Sequence, residues 1–271
     1  MLFFPAVLNI TGFWYLYDKR KDLTVEDISS VIFIYPTCLI NMIMMVVIYV
    51  HIDMIHFIQS EMQAERFQPK TSAQLADAKK WKRTARLFQK VLFINNSFCV
   101  PTIAVLRLLK GEKLLLAAHV FPGVNWKTFY IYQVVTCAAS CMTCSTYVTL
   151  VTSLLIEIII QLCLLERSLQ AMEDDMDLKY CVQWHLDILV FVKKVQRFCG
   201  VGVSAVFICG IFNICTSLAL TLTAEVSDLP FFLLYLGAMV SIIYSHCWCG
   251  SEVTHQRQDI QCNIQLEMDQ C

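Results

Sequence analysis

Between Thr128 and Leu165 the sequence holds a single charged side chain, Glu157. At a rise of about 1.5 Å per residue, a helix over this stretch is on the order of 55 Å long, against roughly 30 Å of hydrocarbon in a bilayer. Trp126, Phe129, Tyr130 and Tyr132 crowd its start, where an aromatic belt belongs. A span over 133–157 leaves the bilayer at Glu157, which is then either an interfacial group or part of an ion path. Residues 158–165 stay apolar with no lipid left to face. They require protein cover outside the membrane, so the stretch reads as one helix half in lipid and half in an extra-membrane bundle.

The rest of the chain repeats the pattern. Hydrophobic residues make up 57% and charged residues 16% of the sequence, and mean hydropathy is +0.58. Charge is well below the usual quarter of a soluble domain. Apolar runs place spans at about 2–17 (short, hence partial), 28–50, 87–106, 133–157, 198–222 and 229–248. The fold class is therefore an all-α polytopic membrane protein with about six transmembrane helices, and residues 1–271 form a single transmembrane domain. Ile55, Ile58 and Met62 fall at helical spacing after the second span, so that helix is expected to continue beyond the bilayer. Leu178, Val182, Leu186 and Leu189 form an apolar stripe leading into the fifth span. Glu173, Asp174, Asp175 and Asp177 mark an acidic turn before it.

Orientation follows from the basic residues. Loops 18–27, 107–127 and 223–229 lie on one side of the membrane. Segments 52–86, 166–197 and 249–271 lie on the other and carry nearly twice as many Lys and Arg. The positive-inside bias puts the second side in the cytoplasm, with both chain ends. A rhodopsin-like receptor has its first terminus outside, so the bias argues against that class. The large segments and apolar extensions share the cytoplasmic side, which points to a cytoplasmic helical bundle.

Several chemistries find no support. No basic patch interleaved with aromatics argues for nucleic acid. No nucleophile–base pair, phosphate loop or zinc spacing argues for an enzyme or a cofactor. The 14 cysteines lie mostly in apolar runs, which suits buried thiols better than a disulfide framework. Cys137, Cys141 and Cys144 share a helical face with Ala138 and Ser140 nearby, a metal set or, more simply, a small-residue packing seam.

Trp184-His185-Leu186, then Phe191-Val192-Lys193-Lys194-Val195, leads into a span with Cys209 and Cys215. Ser245-His246-Cys247-Trp248-Cys249-Gly250-Ser251-Glu252-Val253 follows, then Gln256 and Asp259-Ile260. In order and spacing these runs resemble the C-terminal half of an insect odorant receptor. The resemblance implies a seven-helix, odorant-gated cation channel subunit with a cytoplasmic N-terminus, at the plasma membrane. It implies assembly with a common co-receptor into a tetramer, a cytoplasmic anchor bundle, and a pore lined by the seventh helix. That helix has no counterpart here, and the sequence reads as an incomplete receptor. Related gustatory receptors, a membrane transporter and a non-functional truncated receptor remain as alternatives.

Two sets of candidate residues follow. Short outer loops place a small-molecule site between helices in the outer half of the bilayer, where Tyr35, Phe98, Thr102, Gln133, Cys137, Cys141 and Tyr235 offer aromatic faces and a few polar groups to a small volatile odorant. Trp184, His185, Phe191, Trp248 and Gly250 are candidates for packing in the cytoplasmic bundle or between subunits. Each is also explained as an ordinary packing residue.

Overall fold

Apolar residues at helical spacing over long segments leave backbone groups nowhere to bond in lipid except within a helix. The computed structural model describes residues 3–21, 25–62, 64, 67–111, 114–171, 175–223, 226 and 229–270, and among them there is no strand. The acidic turn at Glu173 and Asp174 lies outside the described residues. Seven helices follow in order: α1 (Phe3–Asp18), α2 (Val25–Val50), α3 (Ile52–Met62), α4 (Ser72–Leu109), α5 (Trp126–Gln170), α6 (Asp175–Thr223) and α7 (Leu229–Gln270).

Four of these are long and apolar enough to cross a membrane, with α5 reaching a mean hydropathy of 2.4; α2 and α3 add a fifth if they form one broken span. At about 1.5 Å per residue, the 16 residues of α1 are shorter than roughly 30 Å of hydrocarbon. Val91, Ile94, Phe98 and Val105 form an exposed apolar face on α4, as do Ile208, Ile211 and Leu218 on α6. Such faces are at home in lipid and not in water. The protein is a multi-pass membrane protein.

Two compact units divide the chain, and α4, α5, α6 and α7 each contribute to both. The first comprises 1–50, 90–147 and 202–243. Its core gathers Leu8, Val31, Tyr35, Cys38, Ile103, Tyr130, Phe231 and Tyr235. Helix α1 comes close to α2 through Gly12, whose absent side chain admits the Tyr35 ring: a Cβ there would lie 2.2 Å from Tyr35 Cζ. The loop before α5 turns at Gly123, with φ of 89°. Asn125 then caps α5, its Oδ1 accepting from Lys127 N–H at 3.0 Å.

The second unit comprises 51–89, 148–201 and 244–271. Residues 158–165 of α5 are buried apart from a half-buried Cys163, so the apolar run beyond Glu157 has the protein cover its composition requires. Helix α4 opens with a reciprocal cap. Gln74 N–H donates to Thr71 Oγ1 and Thr71 N–H donates to Gln74 Oε1, both at 3.2 Å. Gln74 Nε2 also reaches Leu164 O at 3.3 Å and Ser168 Oγ at 3.1 Å on α5. Gln161 Nε2 donates to Phe67 O at 3.0 Å, and Arg167 pairs with Asp77.

Two local expectations change. The helix of the second span does not run on unbroken; a turn at His51 separates α2 from α3. No glycine or proline marks that break, so periodicity reads straight through it. On α6 the buried stripe is Cys181, Trp184, Ile188, Phe191, Val195 and Phe198, whereas Val182 and Leu186 are exposed. Both stripes have helical spacing. The one carrying Trp and Phe removes more apolar surface from water when buried.

Candidate ligand pocket

Five segments of the first unit converge on a cavity of about 50 Å³. Thr37, Cys38 and Asn41 come from α2; Cys99, Val100 and Ile103 from α4; Cys137, Ser140 and Cys141 from α5; Phe231 and Tyr235 from α7. The remaining wall is loop. Leu115 and Leu116 fold inward and are 1% and 4% exposed. They stay there because Gln133, itself fully buried, grips their backbone. Its Oε1 accepts from Leu115 N–H at 3.0 Å and Leu116 N–H at 3.3 Å, and its Nε2 donates to Leu116 O at 3.0 Å. Tyr35 Oη donates to Ala117 O at 2.8 Å, and His119 N–H donates to Thr11 O at 3.0 Å. A loop that would otherwise bury unpaired backbone groups is thereby satisfied.

Among the described residues, no charged side chain lines the cavity. Its polar lining comprises Thr37, Asn41, Ser140 and Tyr235 besides the thiols. Thr37 and Tyr235 share a hydroxyl–hydroxyl bond of 2.6 Å, and Asn213 Nδ2 donates to Thr37 Oγ1 at 3.0 Å. Asn41 is 1% exposed, and neither its Nδ2 nor its Oδ1 has a partner among the described residues. A buried amide atom left unpaired costs about 1–3 kcal/mol. Thr37 and Asn41 also line a second void, of about 20 Å³, with Met44, Cys144, Val206, Asn213 and Met239 among its other walls.

The candidate pocket residues distribute as follows. Cys137, Cys141 and Tyr235 line the cavity. Tyr35 and Gln133 sit behind the wall and hold the loop that closes it. Phe98 is 60% exposed on the lipid-facing side of α4, and Thr102 turns its hydroxyl to Phe98 O at 2.7 Å; neither lines the cavity. Among the described residues, no group of three His, Cys, Asp or Glu side chains could hold a metal ion.

Asn41 and the Leu115–Leu116 wall escape a reading by span and depth. Each has a signal in the sequence: Asn41 is the one carboxamide between residues 28 and 50, apart from nothing but hydroxyls and a thiol for polar company, and an uncharged apolar run interrupts the loop at 114–118. A polar side chain at bilayer depth is expensive to keep there, which singles out Asn41 as a position whose role needs explaining.

In the second unit, Trp184 and Phe191 are buried, and His185 and Gly250 are half-buried. Trp248 stacks near Trp81 and Phe88, with ring centroids 5.8 and 5.4 Å away. All five residues belong to this unit.

The sequence model of the 7tm Odorant receptor family matches residues 24–263. No curated protein sequence matches. Among solved structures, the chain is similar to the insect olfactory receptor OR5 from Machilis hrabei, at 15% identity, with a TM-score of 0.74 over 95% of this chain and 70% of that one. Against the same receptor in complex with eugenol, the TM-score is 0.80 at 15% identity, over 94% and 70% of the two chains.

Proposed function

Because this chain belongs to the 7tm Odorant receptor family, we propose that its cavity binds a small volatile odorant and that the chain serves as the ligand-binding subunit of a heteromeric cation channel completed by a common co-receptor. The observation that carries the reading is the cavity itself: walled by α2, α4, α5, α7 and the inward-folded loop, with no charged side chain among its described lining residues, and mostly apolar. Such a site suits an uncharged molecule with one polar group. At about 50 Å³ the cavity is tight, so a ligand of more than a few heavy atoms turns wall side chains as it enters. The solved relative, OR5 from Machilis hrabei, was captured in complex with eugenol.

In this reading the protein resides in the plasma membrane, with the N-terminus on the cytoplasmic side, spans at about 2–17, 28–50, 87–106, 133–157, 198–222 and 229–248, and the helical extensions beyond the inner ends of those spans in the cytoplasm. Trp184, Phe191 and Trp248 hold the cytoplasmic bundle together. His185 and Gly250, which are only half-covered, are left for packing against neighbouring subunits.

The test is co-expression of the full-length gene with the co-receptor, recording odour-evoked cation currents. Currents that need both subunits support the proposal. Silence across a broad odour panel, with both subunits at the cell surface, overturns it.

A further inference from the structure

We propose that Asn41 is the hydrogen-bonding anchor of the pocket and that the preferred ligand carries a hydroxyl group on an uncharged, apolar body. This rests on the odorant-binding reading above and narrows it to a ligand class. Of the polar side chains around the two voids, Thr37 bonds to both Tyr235 and Asn213, and Asn213 keeps one acceptor, Oδ1, without a partner among the described residues. Asn41 is the one whose donor and acceptor both lack partners among the described residues, and it is 1% exposed. A buried carboxamide in that condition favours whatever supplies the missing bonds.

Its chemistry selects among functional groups. A hydroxyl both donates and accepts, so one group can serve Oδ1 and Nδ2 in turn or together. A carbonyl or an ether can only accept, and leaves Oδ1 unpaired. A hydrocarbon leaves both unpaired. A carboxylate or an ammonium ion would be stripped of water with no countercharge in the wall. The geometry agrees with a head-and-body ligand. Thr37 and Asn41 line both voids. The smaller, at about 20 Å³, has room for one water-sized group such as a hydroxyl head. The larger is walled by Val100, Ile103, Leu115 and Phe231 and takes the apolar body.

The experiment records currents from the full-length receptor co-expressed with its co-receptor. The probes are alcohols on three skeletons (n-hexanol, cyclohexanol and benzyl alcohol), each with its methyl ether and its parent hydrocarbon. On at least one skeleton the alcohol is expected to be about tenfold more potent than its methyl ether, the margin of one well-placed hydrogen bond. Asn41→Leu is expected to erase that margin while shifting the ether and the hydrocarbon less than about twofold. Asn41→Ser, which keeps a donor and an acceptor, is expected to retain part of it, and carries the test if the leucine variant does not reach the surface. An alcohol-to-ether ratio unchanged in both variants overturns the assignment. So does an ether that matches its alcohol on every skeleton, or a uniform loss of response to all probes in surface-expressed Asn41→Leu. The two readings fail differently. Odour-evoked currents that Cys137→Trp abolishes, together with a ratio indifferent to Asn41, sink only this inference; indifference of every current to every wall substitution sinks the pocket.

Discussion

Two glycines carry close approaches that no other residue allows. A Cβ at Gly12 would sit 2.2 Å from Tyr35 Cζ, and one at Gly202 would sit 1.9 Å from Tyr147 Oη. Both tyrosines are buried, so neither ring has room to step aside. Gly12→Ala and Gly202→Ala are each expected to cost about 1–3 kcal/mol, the usual penalty for overpacking a core. Gly200, two residues earlier in α6, has nothing within 4 Å of its missing Cβ. There alanine is expected to be neutral or to gain up to about 1 kcal/mol from helix propensity. Thermal melting of the detergent-solubilised receptor separates the cases: lower melting temperatures for the first two, and an unchanged or higher one for Gly200→Ala. A drop at Gly200 of equal size would contradict the packing account. At this scale the sequence was least informative. Glycines 200 and 202 look alike in a hydrophobic run, and only the position of Tyr147 tells them apart.

At the scale of single elements, hydrogen bonds from side chains decide where helices start and where loops lie. The Thr71–Gln74 box satisfies donors at the first turn of α4 that would otherwise be orphaned, and Gln74 then ties that turn to α5. Thr71→Ala is expected to cost about 1 kcal/mol. Gln74→Leu is expected to cost more, since it removes the α5 contacts too; equal melting temperatures for the two variants would argue against the tie. Gln133 does the corresponding work for the loop. With Gln133→Leu, the buried backbone groups of Leu115 and Leu116 lose three hydrogen bonds. The expected result is a loop over 114–121 that proteases cut faster at the cell surface and an odour response that weakens in parallel. A loop as protected as in the wild type would mean that Gln133 does not hold it.

These elements also explain what could be read from the chain beforehand. Long helices were legible because hydropathy and length suffice to find them, and the buried run beyond Glu157 follows from apolar residues outnumbering the membrane available to cover them. The buried face of α6 was not legible, since two stripes share the same period and the choice lies with the partners across the interface. Depth selects Cys137, Cys141 and Tyr235, which line the cavity, and equally Phe98 and Thr102, which do not, because depth says nothing of which way a side chain faces around its helix. The apolar run at 114–118 marks the loop but not where it folds, because its burial depends on Gln133, an amide 17 residues further on.

For the whole molecule, a small cavity with no charged side chain among its described lining residues lies in one unit and a packed set of helices forms the other, and the proposed orientation follows the bias of the basic residues. Its topology is tested by epitope tags at either end of the chain: antibodies are expected to reach them only after permeabilisation, and labelling of intact cells would contradict the orientation. The central claim is that a small odorant enters the cavity between α2, α4, α5 and α7 and thereby opens a cation conductance. The most direct measurement compares odour-evoked currents for wild type, Cys137→Trp, which fills the cavity, and Phe98→Ala, which alters the lipid-facing side of α4, at matched surface expression with the co-receptor. Cys137→Trp is expected to abolish the current or shift it by more than about tenfold, a loss of about 1.4 kcal/mol or more in binding, with Phe98→Ala close to wild type. Currents that survive Cys137→Trp unchanged, or that disappear with Phe98→Ala instead, would contradict it.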